Sequence, residues 1–463
     1  MSGASAREIA LRVLRRVERE GAYSNRALGD ELEKHPTLDA RDRGFATTLV
    51  YGVLRHQTRL DVHIDAHAHN PRKLKGELRT ILRMAALELR ELERPLRVAS
   101  SEAIKLAAKL DPRGRLTGLL TAIISAIDRG GAEIDEDLDS KNSVEALVRR
   151  WSLPSWVARR WVRELGDERA RARAAAMAET PYLDLRLDLS RGDAQSLRQR
   201  LSEEHPRARL EAPLPGQPQC LRTRSAGDVF FGAMHDEGLL SVQSFGSQQA
   251  VISLAPKADE RVLDACAGMG TKTLQIAELM GRRGQVVALD TDASKLAHFP
   301  ELIERGRLDT PDFSLGYFHA DVVAQLGPRG SSEQSGERSG DSIPIDDAAT
   351  IALAEPFDAI LLDAPCTGLG DLARHPELRY RVRPDQLLAC AAKQARMLRA
   401  CATRLRPGGR ILYAVCSLEP EEGRDLVAAV APECGLEVVE EHDWTPEEHA
   451  CDGFFHALLR RSN

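Results

Sequence analysis

Two cysteines stand where a thiolate could act on a substrate. Cys366 follows the apolar run of LLDAPCTGLG (361–370), and Cys416 closes that of RPGGRILYAVCSLEPEE (406–422). In both, a strand-like segment delivers the sulfur to a stretch of polar, turn-forming residues, where a thiol is exposed and can serve as a nucleophile. The first run also brings Asp363 and Pro365 to the same strand end. Cys390, Cys401 and Cys434 lack this setting and read as small buried hydrophobes.

A second group has the spacing of a cofactor turn. In RVLDACAGMGTKT (261–273) a buried strand ends in an acid and turns through Gly268 and Gly270 into a helix. Glycines let the backbone approach a ligand closely, and the helix start offers N–H groups to an anion. A Walker loop would place Gly and Lys side by side, but Thr271 separates Gly270 from Lys272. A dinucleotide fingerprint would want a third glycine where Thr273 stands. What remains is an adenosine-like ligand. Asp290, 20 residues after Gly270 at the end of the next strand, can accept ribose hydroxyls, and Asp321 in HAD (319–321) follows one β–α unit later. Taken singly, such strand-end acids also cap helices.

These residues need a scaffold that gathers strand ends at one edge. VLDAC (262–266), QVVALD (285–290), FDAILLDAP (357–365) and GRILYAVC (409–416) alternate with helical stretches, the pattern of a parallel, doubly wound sheet. Ligands of such sheets lie at the carboxyl edge, which places both cysteines in one crevice. A polar Gly/Ser-rich segment, 327–347, has no periodicity and reads as a flexible surface insertion.

Upstream, residues 1–130 carry apolar positions at three-and-four spacing, such as Ile9, Val13, Leu14 and Val17, and predict a helical bundle. The acidic stretch 131–145 is expected to be a linker, and 146–237, with helices followed by alternating segments such as YLDLRLDL (182–189), a small α+β module. The catalytic domain is then 238–463. The bundle holds 24 Lys and Arg against 17 Asp and Glu, although the whole chain has a net charge of −6, so one basic module sits on an acidic body. That distribution suits a polyanionic partner.

Composition narrows the class further. At 43% hydrophobic and 29% charged, the 463-residue chain is an ordinary globular multidomain protein. The N-terminal stretch reads as no signal peptide, and the most apolar run, 118–127, is about half of the roughly 20 residues a bilayer-spanning helix needs, so it is expected to be a buried helix and no membrane partner is expected. The eight cysteines form no CxxC pair, which points to a reducing cytoplasm. No metal site is expected: His63, His67 and His69 come closest and read as a solvated helix face.

With these motifs in view, the chain resembles the NOL/NOP/Sun family of RNA cytosine carbon-5 methyltransferases, in its bacterial RsmB (Sun/Fmu) branch. DARDRGFATTLVYGVLRHQTRLD (39–61) looks like the NusB-type RNA-binding domain of that branch, WSLPSW (151–156) like its second module, and GLLSVQSFGSQQA (238–250) like the lead into the catalytic domain. DAPCTGLG, RHPELRYR (374–381), AVCSLEPEE and DGFF (452–455) follow in family order. Departures are the Gly268-Met269-Gly270-Thr271-Lys272 turn, where the family has Ala-Pro-Gly-Gly-Lys, Val415 in place of Thr, and Gly423 in place of Asn.

The resemblance implies a Rossmann-like methyltransferase domain using S-adenosyl-L-methionine, held by Cys266, Ala267, Gly268, Met269, Gly270, Thr271, Lys272, Asp290, Asp321 and Asp363. It implies Cys416 as nucleophile, Cys366 as an aid to product release, and Asp363 and Lys272 beside the reacting base. The implied substrate is small-subunit (16S) ribosomal RNA and the expected form a monomer. A tRNA cytosine methyltransferase, or a non-catalytic RNA-binding protein on the same fold, stays open at this stage.

Overall fold

Ser5 starts the first helix by a reciprocal cap, accepting from the Glu8 N–H while the Glu8 carboxylate accepts from its own. The computed structural model describes residues 4–211, 216–224, 232–326 and 346–462. The chain divides into two compact units, Met1–Thr180 with Asp371–Val382, and Pro181–Gly370 with Arg383–Asn463.

The first unit is helical: α1 (Ala6–Glu20), α2 (Ser24–Glu33), α3 (Ala40–His67), α4 (Glu77–Arg90), α5 (Leu96–Ala107), α6 (Thr117–Ser140), α7 (Ser143–Arg149), α8 (Ser155–Leu165) and α9 (Asp167–Ala178). Ile9, Val13, Leu14 and Val17 line one buried stripe of α1, as their spacing requires. The apolar run 118–127 is a buried helix, with Leu120, Ile123, Ile124 and Ile127 in the core. Among the described residues, no helix is long and apolar enough to cross a membrane.

Two expectations fail here for one reason. The acidic stretch taken as a linker continues α6 to Ser140, and His63 is not on a solvated face but fully buried. Asp135 joins them: it accepts two bonds from Arg59 at 2.7 Å each, one from Arg90 at 2.9 Å, and faces His63 Nε2 at 3.1 Å. Asp135, one of the acids that made the stretch look solvated, is the counter-charge of the buried Arg59 and the half-buried Arg90, which a composition-based reading cannot show. His67 is half-buried and His69 exposed.

α3 bends at His56 (φ −111°, ψ 16°), and family-like motifs satisfy the backbone groups the bend frees. Ser152 of WSLPSW accepts from the N–H groups of Thr58 and Arg59, and Tyr380 of RHPELRYR donates its hydroxyl to Leu54 O. Neighbouring residues do similar work, since Glu377 accepts from Ser24 and the buried Arg379 donates to the carbonyls of Trp151 and Met177. The helices expected in the middle module therefore belong to the first unit, as does 371–382 from within the catalytic sequence.

The second unit holds two sheets. The smaller, antiparallel, contains β1 (Leu183–Leu187), β2 (Leu210–Glu211), β3 (Cys220–Thr223) and β4 (Leu240–Val242) in the order β2-β3-β1-β4. β4 comes from the expected lead into the catalytic domain, so that segment completes the small sheet. The larger contains β5 (Arg261–Asp264), β6 (Gly284–Asp290), β7 (Phe313–His319), β8 (Phe357–Asp363), β9 (Leu405–Val415), β10 (Leu436–Trp444) and β11 (Phe454–Arg461), in the order β10-β11-β9-β8-β5-β6-β7. β5 to β9 are mutually parallel, and β11 and β10 close the edge antiparallel. Alternation along the strands feeds two cores: Ile360, Leu362, Ile411 and Tyr413 pack on one face, Ala359, Leu361, Leu412 and Ala414 on the other. The 327–347 insertion lies outside the described residues as far as 345; Asp346 then caps the helix Asp347–Ala352.

Burial alone would raise the Asp135 carboxyl, but hydrogen bonds from His63 and Arg59 hold it well below the usual carboxylate range. A depressed carboxyl stabilises the fold above its unfolded pKa and loses that contribution only as pH falls through the folded value. Asp135→Ala is therefore expected to lower the unfolding free energy by about 3 kcal/mol at pH 7, read from urea melts, because it strands two arginines. The deficit should shrink only in strong acid.

Candidate active site

β5 and β8 are neighbours although β6 and β7 lie between them in the chain, which makes the gap between their carboxyl ends the switch point of the sheet. The turn after β5 lies against β6: Ala267 N–H donates to Leu289 O at 2.8 Å and Gly268 N–H to Asp290 Oδ2 at 2.7 Å. Gly268 and Gly270 have φ of +59° and +83°, a region L-residues rarely adopt. Gly270 also has no room for a side chain, since a Cβ would lie 2.9 Å from Leu302. Met269, between them, is 54% exposed. The helix Thr271–Leu279 starts directly after the turn, and its first internal bond runs from Leu274 N–H to Gly270 O. The N–H groups of Thr271, Lys272 and Thr273 thus come before that ladder begins.

The charges at this edge are mixed and close. Lys272 Nζ lies 2.5 Å from Asp363 Oδ2. Burial works to lower the Lys272 ammonium, but the carboxylates of Asp363 and Asp264 and the sulfur of Cys416 outweigh it, and its pKa ends raised. Asp264, completely buried, receives the Thr273 hydroxyl at 2.7 Å on Oδ2, while Oδ1 has no partner. Burial pushes its carboxyl up to about 6, against the pull of Thr273 and Lys272. Asp290 accepts from Gly268 N–H with one oxygen and Asp292 N–H with the other, and each oxygen keeps a further lone pair. Asp321 accepts from Val323 and Ala324 N–H, so it does cap a helix, as strand-end acids commonly do.

The two cysteines meet. β8 and β9 are adjacent and parallel, with Asp363 opposite Ala414, so the loops that follow them leave the sheet side by side. Cys366 Sγ and Cys416 Sγ are 3.1 Å apart, both half-buried. Gly370 N–H donates to Cys416 O at 3.0 Å, and a Cβ at Gly370 would sit 1.9 Å from Gly453 O. Elsewhere burial raises the thiols: Cys390 to about 11, Cys220 and Cys401 to about 12, and Cys266 well above the usual value. Cys266 thus contributes backbone to the turn, not a reactive sulfur.

Sequence reasoning brought Lys272, Asp363, Cys366 and Cys416 to one place, with the glycine turn and Asp290 beside them. It missed the residues that hold the place: Asp264, Thr367, Gly370, Gln394, Glu422 and Gly453. Asp264 was legible as the acid ending its strand, and Glu422 as an acid in the turn that follows Cys416. It also missed Glu440, His442 and His456, whose potential metal-ligand atoms lie within 4.8 Å of one another. There the His456 ring already receives Trp444 Nε1 and contacts Ser253 Oγ.

A seven-stranded sheet of this order, with a glycine turn at its switch point and an antiparallel closing pair, defines a Rossmann-like methyltransferase domain. Residues 251–460 match the model of the family described as 16S rRNA methyltransferase RsmB/F, and residues 4–129 match that of the NusB family. Similar curated proteins include a probable ribosomal RNA small subunit methyltransferase B of Bacillus subtilis, 28% identical over 94% of this chain and 89% of the relative. One of the same description from Synechocystis is 29% identical over 99% of this chain and all of the relative. The crystal structure of PH0851 shares the fold, with a TM-score of 0.73 and 22% identity over 99% of this chain and 100% of the other.

The raised Asp264 carboxyl gives a test of the site's electrostatics. A buried acid with its pKa lifted from 3.8 to about 6 opposes folding once ionised, fully above pH 6 and not at all below its unfolded value. Asp264→Asn should stabilise the ligand-free protein by on the order of 2 to 3 kcal/mol at pH 8. The gain should fade through pH 6 to 4, as followed by urea melts at each pH.

Proposed function

We propose that this protein methylates carbon 5 of a cytosine in small-subunit ribosomal RNA, using S-adenosyl-L-methionine, with Cys416 as nucleophile. The observation that carries the reading is the pair of sulfurs 3.1 Å apart, beside the Lys272–Asp363 ion pair at the carboxyl edge of a methyltransferase sheet. The ribosomal substrate is supported by the names of the relatives and by the NusB-family unit.

The residues present fit the cofactor. The glycine turn opens to Asp290, whose spare lone pairs suit ribose hydroxyls, and Asp321 Oδ2 is left beyond the helix cap for an adenine amine. The N–H groups at the start of the helix Thr271–Leu279 suit a carboxylate. The buried, unpartnered Asp264 Oδ1 marks a polar place in this crevice that the protein itself leaves unfilled. When bound there, S-adenosylmethionine supplies an electrophilic methyl carbon.

Carbon 5 of cytosine is a poor nucleophile until carbon 6 carries a covalent bond. The Cys416 thiolate makes that bond, with the cationic Lys272 close enough to favour the negative sulfur. Asp363 faces the ring nitrogen, and the Lys272 ammonium bonded to it stabilises charge that develops there. After carbon 5 is methylated, a base, water being sufficient, removes its proton. The 5,6 double bond re-forms, the carbon–sulfur bond breaks, and Cys416 leaves as thiolate. The Cys366 thiol, in sulfur–sulfur hydrogen-bond range, donates to that departing thiolate. The target base must first be unstacked, at roughly a few kcal/mol in a duplex and less in a loop.

Bisulfite sequencing of ribosomal and transfer RNA from the source cells tests the reading directly, comparing intact gene, deletion and Cys416→Ala. The expected result is loss of one 16S site in both mutants. A change confined to tRNA would move the substrate to that class, and no change in either would leave a non-catalytic RNA-binding protein. With purified enzyme, Cys366→Ala should accumulate an SDS-stable protein–RNA adduct and Cys416→Ala none.

A further inference from the structure

The loop that carries Cys416 sends a side chain across to the loop that carries Cys366. Glu422, fully buried six residues after Cys416, accepts from Thr367 N–H at 2.8 Å with Oε1 and from the Thr367 hydroxyl at 2.6 Å with Oε2. Gln394 Nε2, on the helix Pro384–Ala402, donates to Glu422 Oε1 at 3.2 Å and to Pro365 O at 3.0 Å. Cys366 therefore lies between two residues, Pro365 and Thr367, that are both tied into one buried network centred on this carboxylate. The backbone of Glu422 is held in turn, its carbonyl accepting the Tyr413 hydroxyl from β9 at 2.5 Å.

Nothing in the chemistry of the fold requires an acid at this place. The Thr367 N–H and the Gln394 amide need an acceptor, but a neutral amide oxygen would supply one without the desolvation that a buried carboxylate entails. What a carboxylate adds is acceptor capacity on two oxygens and no donor, which suits one N–H and one O–H of the same residue. That fixes the peptide after Cys366 and with it the direction of the Cys366 Cβ–Sγ bond toward Cys416.

We infer that Glu422 is a positioning residue for product release: through Thr367 it holds the Cys366 thiol against the Cys416 sulfur. The inference rests on the proposed release role of Cys366. Its consequence is a division of labour, because Cys416 can attack and the base can be methylated without Glu422, whereas Cys416 cannot leave at the normal rate.

The experiment is a set of purified full-length variants assayed for turnover on 16S RNA and for SDS-stable adduct, with thermal melting alongside. Glu422→Ala should lower turnover tenfold or more, roughly the effect of losing bonds to a charged acceptor, and should accumulate adduct as Cys366→Ala does. Glu422→Gln should be rescued to within about threefold of the intact enzyme, since its amide oxygen can take the Thr367 N–H while its amide N–H₂ meets the Thr367 hydroxyl oxygen. A merely structural role would lower turnover and adduct together, because an adduct forms only in a site competent for attack, and that outcome overturns the inference. So would a folded Glu422→Ala that turns over normally. If Glu422→Ala melts below the assay temperature, Thr367→Val decides, removing only the hydroxyl bond; adduct above the intact enzyme is expected, and its absence overturns the inference. A Cys366→Ala variant without adduct would instead defeat the release role itself, and this inference with it.

Discussion

Sulfur atoms at hydrogen-bond distance from each other require backbone that cannot drift, because each sits at a strand end where the sheet no longer dictates conformation. Three contacts supply the constraint here: the shared edge of β8 and β9, the Gly370 N–H to Cys416 carbonyl bond, and the Thr367–Glu422 network. Glycine at 370 is a matter of space, since a Cβ there would overlap the Gly453 carbonyl. DGFF belongs to the site in this sense. Its glycine abuts Gly370, and its phenylalanines begin β11, which pairs with β9, the strand that leads into Cys416.

The same edge gathers opposite charges around a space the protein leaves partly unsatisfied. Lys272 holds Asp363, and Asp264 lies beneath with one oxygen unpartnered and its carboxyl raised by burial. A fold optimised for stability alone would not bury an acid so incompletely satisfied. The arrangement is understandable where a polar ligand completes it, and the helix start and the turn glycines offer that ligand an approach. The departure from the family's usual Ala-Pro-Gly-Gly-Lys turn leaves this intact, because Gly268 and Gly270 take the left-handed conformations and Met269 only points outward.

What could be read in advance follows from which forces act locally. The strands of the large sheet and the helices of the first unit declare themselves by apolar period, and the site residues by their place at strand ends. β10 escaped because it is an edge strand whose residues are largely exposed and charged, as in Glu437, Glu440 and Glu441. The acidic end of α6 escaped because Asp135 is explained only by Arg59 and Arg90, 76 and 45 residues away in sequence. The domain limits near 145 and 237 differ from the units for a similar reason: Ser152, Arg379 and Tyr380 act on carbonyls and N–H groups that no pattern of residue types reveals.

That internal use of polar groups also changes what the basic surplus of residues 1–130 can mean. Arg7, Arg59, Arg79 and Arg83 are held by Glu88, Asp135, Asp61 and Asp65 inside the helical unit, so they build the bundle and do not advertise charge. Most of the other cations stay exposed, among them Arg72, Lys73 and Lys75 around the short turn after α3 and Arg113 before α6. Each phosphate neutralised releases counterions, so a handful of such contacts is enough to orient an RNA but not to select a base. Under the proposed function, choice of the cytosine would then come from the shape of the RNA and from whether its base can be unstacked into the crevice. That selection would rest on the geometry of the crevice and not on the charge of the helical unit.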